Sequence, residues 1–287
     1  MKGPSGFLYV FFYILAIQVC GMCADDITPE LLVERHLNSI GDSALLSHVK
    51  SITIIGTSDV DFILGMNGQM TGTALIVSQG PKMAIAMRFQ DINYLEEYFA
   101  YDGKSVTVKH IRPGLKSPIA DFLFRYNKIM KNSMMGGVFS NAWPLFDIKH
   151  NQPTMKVRKT RVEGTELYEL EYRPKDFYGD MKIRFYFDPE TYRHVRTEYK
   201  VNTRDDVTTG RPFSILGDII GDSFYTLTEK FGDFSKVGGL TLPHSYILDY
   251  VIDGPAQSAF IARWKINALK IGFNTPDIDQ KIFKAEK

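Results

Sequence analysis

Lys82-Met83-Ala84-Ile85-Ala86-Met87-Arg88-Phe89-Gln90 is the stretch from which the fold is read. Met83, Ile85, Met87 and Phe89 fall on one side of an extended chain, and Lys82, Ala84, Ala86, Arg88 and Gln90 on the other. Apolar residues recurring with a period of two require a strand with one dry and one wet face. The same alternation returns at Ile183, Phe185 and Phe187; at Val195, Thr197, Tyr199 and Val201; and at Tyr168, Leu170 and Tyr172. It returns again at Tyr246, Leu248, Tyr250 and Ile252, and at Trp264, Ile266 and Ala268. Turn dipeptides separate the runs: Asn67-Gly68, Asp102-Gly103, Glu163-Gly164, Asp188-Pro189, Gly238-Gly239 and Asp253-Gly254. The pattern predicts about ten or eleven consecutive antiparallel strands, which curl into a strongly curved sheet or an incomplete barrel. The expected class is mainly β, with helices covering a hydrophobic cavity.

Helical spacing interrupts this pattern in two places. Thr28 is placed to cap a helix that Pro29 begins and Gly41 ends, with Leu32, His36 and Ile40 along one side. A second short helix is expected over Asp42 to Val49. In the middle of the chain, Ser117 and Pro118 open a helical run with Ile119, Phe122, Leu123, Tyr126, Ile129 and Met130 on one stripe. Met134, Met135, Phe139, Trp143, Leu145 and Phe146 follow around Gly136-Gly137. Residues 117–146 therefore read as an apolar helical insertion, expected to act as a lid over the cavity with the glycine pair as its hinge.

Composition removes several function classes. The chain of 287 residues has 44% hydrophobic and 23% charged residues, an ordinary globular balance that excludes disorder. Thirty-four basic and thirty-three acidic side chains give a net charge of +1, without the electrostatic footprint of a nucleic-acid binder. The amino-terminal segment has Lys2, an apolar run from Phe7 to Val19, then small residues before Asp25-Asp26. This is the composition of a secretory signal peptide cleaved after Ala24, with Gly21 as the alternative point; an uncleaved anchor is the competing reading. Cleavage removes Cys20 and Cys23, the two cysteines of the chain. Residues 25–287 then form a single domain stabilised by its core rather than by disulfides.

The six histidines never stand three to five residues apart, and no phosphate-binding glycine loop, dinucleotide fingerprint or nucleophile elbow is present. No cofactor and no metal are expected. Gly41-Asp42-Ser43 followed by Asp147-Ile148-Lys149-His150 admits a remote GDS-type esterase reading. Helix capping by Asp42 or Ser43 is the simpler account. Glu96-Glu97 and Asp205-Asp206 are expected to be solvated.

The order of these features resembles a known group. LVERHLNSIG in the first helix, the hairpins, the central insertion, YFDPETYRHVRTEY, VGGLTLPHSY and the closing NALKIGFNTPDID resemble the LolA/LolB/LppX-like superfamily of bacterial periplasmic lipid and lipoprotein carriers. The resemblance spans residues 28–283. It implies an unclosed antiparallel half-barrel whose helices cover a cavity for acyl chains, in a secreted, periplasmic, non-enzymatic protein. The expected ligand-binding residues are Met83, Ile85, Met87 and Phe89 on one strand, and Phe185 and Phe187 on another. Phe122, Tyr126, Met130, Met134, Met135, Phe139 and Trp143 are expected to contribute from the lid. Family carriers use an arginine to govern lid opening, and Arg88 is a candidate by position. Expected partners are lipid or lipoprotein acyl chains and envelope proteins, with no nucleic acid; a monomer is expected. The alternative is a regulatory or structural module of the envelope that uses the half-barrel to dock a protein.

Overall fold

The structure, a computed structural model, describes residues 27–66, 68–175, 179–202, 224–254 and 259–285. The expected signal peptide, Asn67 and Asp205-Asp206 lie outside the described residues.

The amino-terminal helix α1 spans Pro29–Ile40, and the Thr28 hydroxyl accepts from the Leu31 amide as its cap. Helix α2, Ser43–His48, is capped by Asp42. A meander follows: β1 Ser51–Leu64, β2 Gly68–Gln79, β3 Lys82–Phe89, β4 Glu96–Tyr101 and β5 Val106–Val108. The central segment contains α3 Pro118–Arg125, α4 Lys128–Lys131, two 3-10 turns at Gly137–Phe139 and Pro144–Asp147, and α5 Ile148–Asn151. The second meander has β6 Thr154–Val162, β7 Thr165–Arg173, β8 Lys182–Phe187, β9 His194–Asn202 and β10 Phe224–Gly232. A small hairpin of β11 Ser235–Val237 and β12 Leu240–Leu242 precedes β13 Ser245–Asp253 and β14 Phe260–Phe273.

Twelve of these strands form one open antiparallel sheet in the order β5-β4-β3-β2-β1-β14-β13-β10-β9-β8-β7-β6. The strand count exceeds the expected ten or eleven because β11 and β12 pair with each other outside the main sheet and β5 is too short to show a period. The two meanders meet at the β1–β14 seam, so β5 and β6 form opposite edges. The segment joining them, residues 109–153, must therefore run from one edge of the sheet to the other. It does so across the inner face. The helical run expected from Ser117 through Met130 is two helices, because Tyr126 leaves helical geometry between α3 and α4.

Two glycines permit close approach between strands. A Cβ on Gly56 would lie 2.2 Å from the Asn267 carbonyl oxygen, at a register shift between β1 and β14. A Cβ on Gly72 would lie 1.9 Å from that of Arg88. Glycine in a strand serves such close approaches and bends.

The two faces differ as the alternation predicts. The outer face carries cross-strand ion pairs from Arg158 to Glu169, Arg184 and Glu198, and from Glu163 through Lys230 and Asp249 to Arg263. Part of this face is apolar: Phe283, in the closing 3-10 turn Gln280–Phe283, packs on Val77, Ala84 and Ala100. The inner face carries the principal core, and α1 and the crossover cover it.

Candidate functional site: the inner face and its covering segment

The thirteen residues expected to bind ligand come together in one cluster. Met83, Ile85, Met87 and Phe89 on β3, and Phe185 and Phe187 on β8, are buried on the inner face. Phe122, Met130, Met134, Met135, Phe139 and Trp143 of the crossover are buried against them, and Tyr126 is half-buried beside them. The contacts are ring to ring. Phe122 lies 5.2 Å from Tyr250, Phe139 lies 6.0 Å from Tyr246, and Trp143 lies 5.8 Å from Phe185. The crossover thus occupies the inner face in this conformation. Arg88 is on the outer face with its side chain 77% exposed, 3.7 Å from Glu96.

Beside the crossover an apolar cleft of about 380 Å³ remains open. Its walls come from Ile40 of α1, Leu46 of α2, Ile52 of β1, Val138 and Phe146 of the crossover, and Leu240 of the small hairpin. None of the thirteen residues lines it, while Val138 and Phe146 belong to the same covering segment. Lys50 and Asn141 supply polarity at this cleft.

Gly136 and Gly137 both have positive φ, at 83° and 52°. A Cβ on Gly136 would lie 2.3 Å from Met83 Cε, and one on Gly137 would lie 3.0 Å from His194 Nδ1. The glycine pair therefore does more than leave φ unrestricted: it lets the backbone of the crossover touch the sheet's side chains.

Sequence reasoning placed His36 on the apolar side of α1 but missed the other buried polar groups at this interface. Glu229 of β10 is 0% exposed and accepts from the Gly136 amide at 2.7 Å and from the Tyr246 hydroxyl at 2.6 Å. Burial pushes its carboxyl up to about 7. The signal was present in the alternation, since Tyr225, Leu227, Glu229 and Phe231 share one face of the strand. Glu97, expected to be solvated, is 1% exposed, because it shares the inner face of β4 with Phe99 and Tyr101. It accepts from Tyr94 and from Ser117, whose hydroxyl also caps α3 by accepting from Ala120. His36 of α1 and His194 of β9 are buried with ring centroids 6.1 Å apart, and Trp143 lies 4.9 Å from His194. Two buried carboxyls and a buried imidazole pair thus meet the covering segment.

The esterase pattern is explained by capping. The Asp42 carboxylate accepts from the Ala44 amide, and Asp147 accepts from the backbone amide of His150 at 3.0 Å. Ser43 and His150 are both exposed. Among the described residues, no group of three or more His, Cys, Asp or Glu could hold a metal ion, and no helix is long and apolar enough to cross a membrane.

No family model matches the chain, and no curated protein matches it. A structure of the MucA/MucB complex from Pseudomonas aeruginosa aligns over 85% of this chain and 99% of its own, at 9% identity and a TM-score of 0.22. A structure of MucB in complex with MucA(peri) aligns over the same shares at 10% identity and a TM-score of 0.21. The chain resembles a LolA superfamily protein from Nitrosomonas europaea at 12% identity and a TM-score of 0.44, over 91% of this chain and 99% of that one.

Proposed function

We propose that the protein is a secreted, periplasmic, non-enzymatic carrier that takes acyl chains of a lipid or lipoprotein between the sheet and its covering segment. The observation that carries this reading is that one strip of chain covers a continuous apolar sheet face and borders an open apolar cleft of about 380 Å³. An acyl chain that enters the cleft and displaces the strip exchanges one apolar contact for another. Each methylene removed from water contributes about 0.8 kcal/mol, so one chain reaches micromolar affinity without an ion pair.

A second reading, a module that docks an envelope protein, is favoured by one observation. The thirteen inner-face and crossover residues pack on one another, so the chain itself covers the inner face. Native mass spectrometry of the purified protein separates the two. Co-purified lipid that is lost when the cleft is filled by Val138→Trp supports the carrier; a clean mass in the wild type supports docking.

A further inference from the structure

The Met134–Gly136 stretch of the crossover is hydrogen-bonded to the sheet around the Glu229 carboxyl. Glu229 Oε1 accepts from the Gly136 amide and from Tyr246, leaving Oε2 to face Tyr199 of β9. Tyr199 Oη lies 2.9 Å from Glu229 Oε2 and also 2.9 Å from the Met134 carbonyl oxygen. A phenol carries one hydrogen, and a carbonyl oxygen only accepts. Both contacts are full two-centre hydrogen bonds only when the carboxyl supplies the second hydrogen; otherwise one hydrogen is shared between two acceptors. Protonated at Oε2, Glu229 donates to Tyr199, and Tyr199 donates to Met134. Ionised, it leaves two buried acceptors competing for one hydrogen, a costly arrangement away from water.

We propose that Glu229 is a proton-dependent latch: as the acid it pins Met134 to Gly136 against the sheet, and as the carboxylate it loosens this segment. Resting on the carrier reading above, the latch makes Glu229 a positioning residue that governs ligand access to the inner face. The groups around it are consistent with a proton count set locally. Tyr199 faces it from β9 and Tyr246 from β13, while Met134 to Gly137 bring no ionisable group from the crossover. His194 lies beyond Gly137 and Phe231, and its imidazole is held neutral by burial, with His36 of α1 behind it. Glu97 and Tyr94 form a separate cluster around Ser117. Burial shifts the Glu229 carboxyl in the direction the hydrogen count requires.

A carboxyl that titrates higher in the closed state than in the open one favours closure at low pH. Opening should increase up to about tenfold per pH unit as pH rises from the ordinary carboxylate range towards 7, then level off. The histidine pair acts in the opposite sense over part of this range, so the comparison must be with Glu229→Gln. Glutamine can donate to Tyr199 through its amide nitrogen as the acid does, and does not titrate.

The test is hydrogen exchange of the intact protein from pH 5 to 8, corrected for intrinsic rates, read at Met135 to Gly137 with β8 as reference. The ratio of wild-type to Glu229→Gln opening should rise at least tenfold across this range while β8 stays unchanged. A constant ratio, or a change that β8 follows equally, overturns the latch. If Glu229→Gln does not fold, Tyr199→Phe serves. Without the relay, opening at pH 5 should reach the wild-type level at pH 8, and a preserved wild-type difference would overturn the proposal. No ligand is used, so failure here is distinct from failure of the carrier reading, which native mass spectrometry tests.

Discussion

Tyr94 donates to the Glu97 carboxyl across 2.5 Å, and the same phenol oxygen accepts from the indole N–H of Trp264 at 2.8 Å. The triad ties the loop before β4 to β14 and, through Ser117, to the head of the crossover. Burial pushes Glu97 up to about 7 from an ordinary value of 4.5.

A carboxyl raised on folding stabilises fully below its unfolded-state value and loses that contribution as pH rises through its folded-state value. For Glu97 the loss runs from about 4.5 to 7 and amounts to about 3 kcal/mol. Glu97→Gln removes this dependence. Urea denaturation at pH 5 and pH 7.5 should show the wild type losing stability relative to the variant. Parallel behaviour of the two proteins would contradict it.

The histidine pair acts in the opposite sense. His36 Nδ1 donates to the Tyr192 carbonyl at 2.9 Å, and its Nε2 finds no partner among the described residues. His194 Nε2 lies 2.9 Å from the Thr197 hydroxyl, and its Nδ1 is likewise unpartnered. A second proton on either ring is placed against Phe185, Phe187 or Trp143. Burial lowers His36 to about 4 and moves His194 in the same direction. Their contribution is present above about 6.5 and is lost as pH falls. Between pH 7 and 5, His36 alone should account for ~2 kcal/mol of acid destabilisation. His36→Phe should show a smaller drop in melting temperature over that interval; an undiminished drop would locate the sensitivity elsewhere.

Adjacent residues of β3 give a sharper contrast. Met87 is 0% exposed on the inner face, whereas Arg88 projects outward. Met87→Asp places an unpaired carboxylate in the core and should destabilise the protein by several kcal/mol, on the order of 3–5. Arg88→Asp loses one exposed ion pair and should change stability by less than about 1 kcal/mol. Equilibrium denaturation of both variants decides, and equal tolerance would reverse the assigned faces.

Much of this architecture is legible residue by residue. Ser117 and Thr28 announce their helices because a side-chain oxygen before proline meets amides that have no helical partner. Met83, Ile85, Met87 and Phe89 announce their face because alternate residues of a strand point the same way, and all four are buried. Strand order is not legible in this way. Nothing local in Val106-Thr107-Val108 or in Thr154 to Val162 says that these strands end on opposite edges, since β1–β14 pairing is a property of distant segments. The crossing route of residues 109–153 depends on that order. Glu97 was misread because two adjacent carboxylates look alike in sequence, whereas alternation sends Glu96 to Lys109 on the outer face and Glu97 to Tyr94 inside.

The seam at the centre of the sheet also bears on how the chain folds. Ile52 pairs with Phe273 and Thr53 with Gly272, residues from opposite ends of the described chain. Each meander can form its own hairpins from local neighbours, but their union must wait until the last strand has been synthesised. Loop-closure entropy places such a pairing late and makes it slow. Until then the apolar rows of both halves lie open, together with the unpaired edges of β1 and β14. A nascent chain of this topology has a long interval in which a holding chaperone, or a stray strand, can reach it.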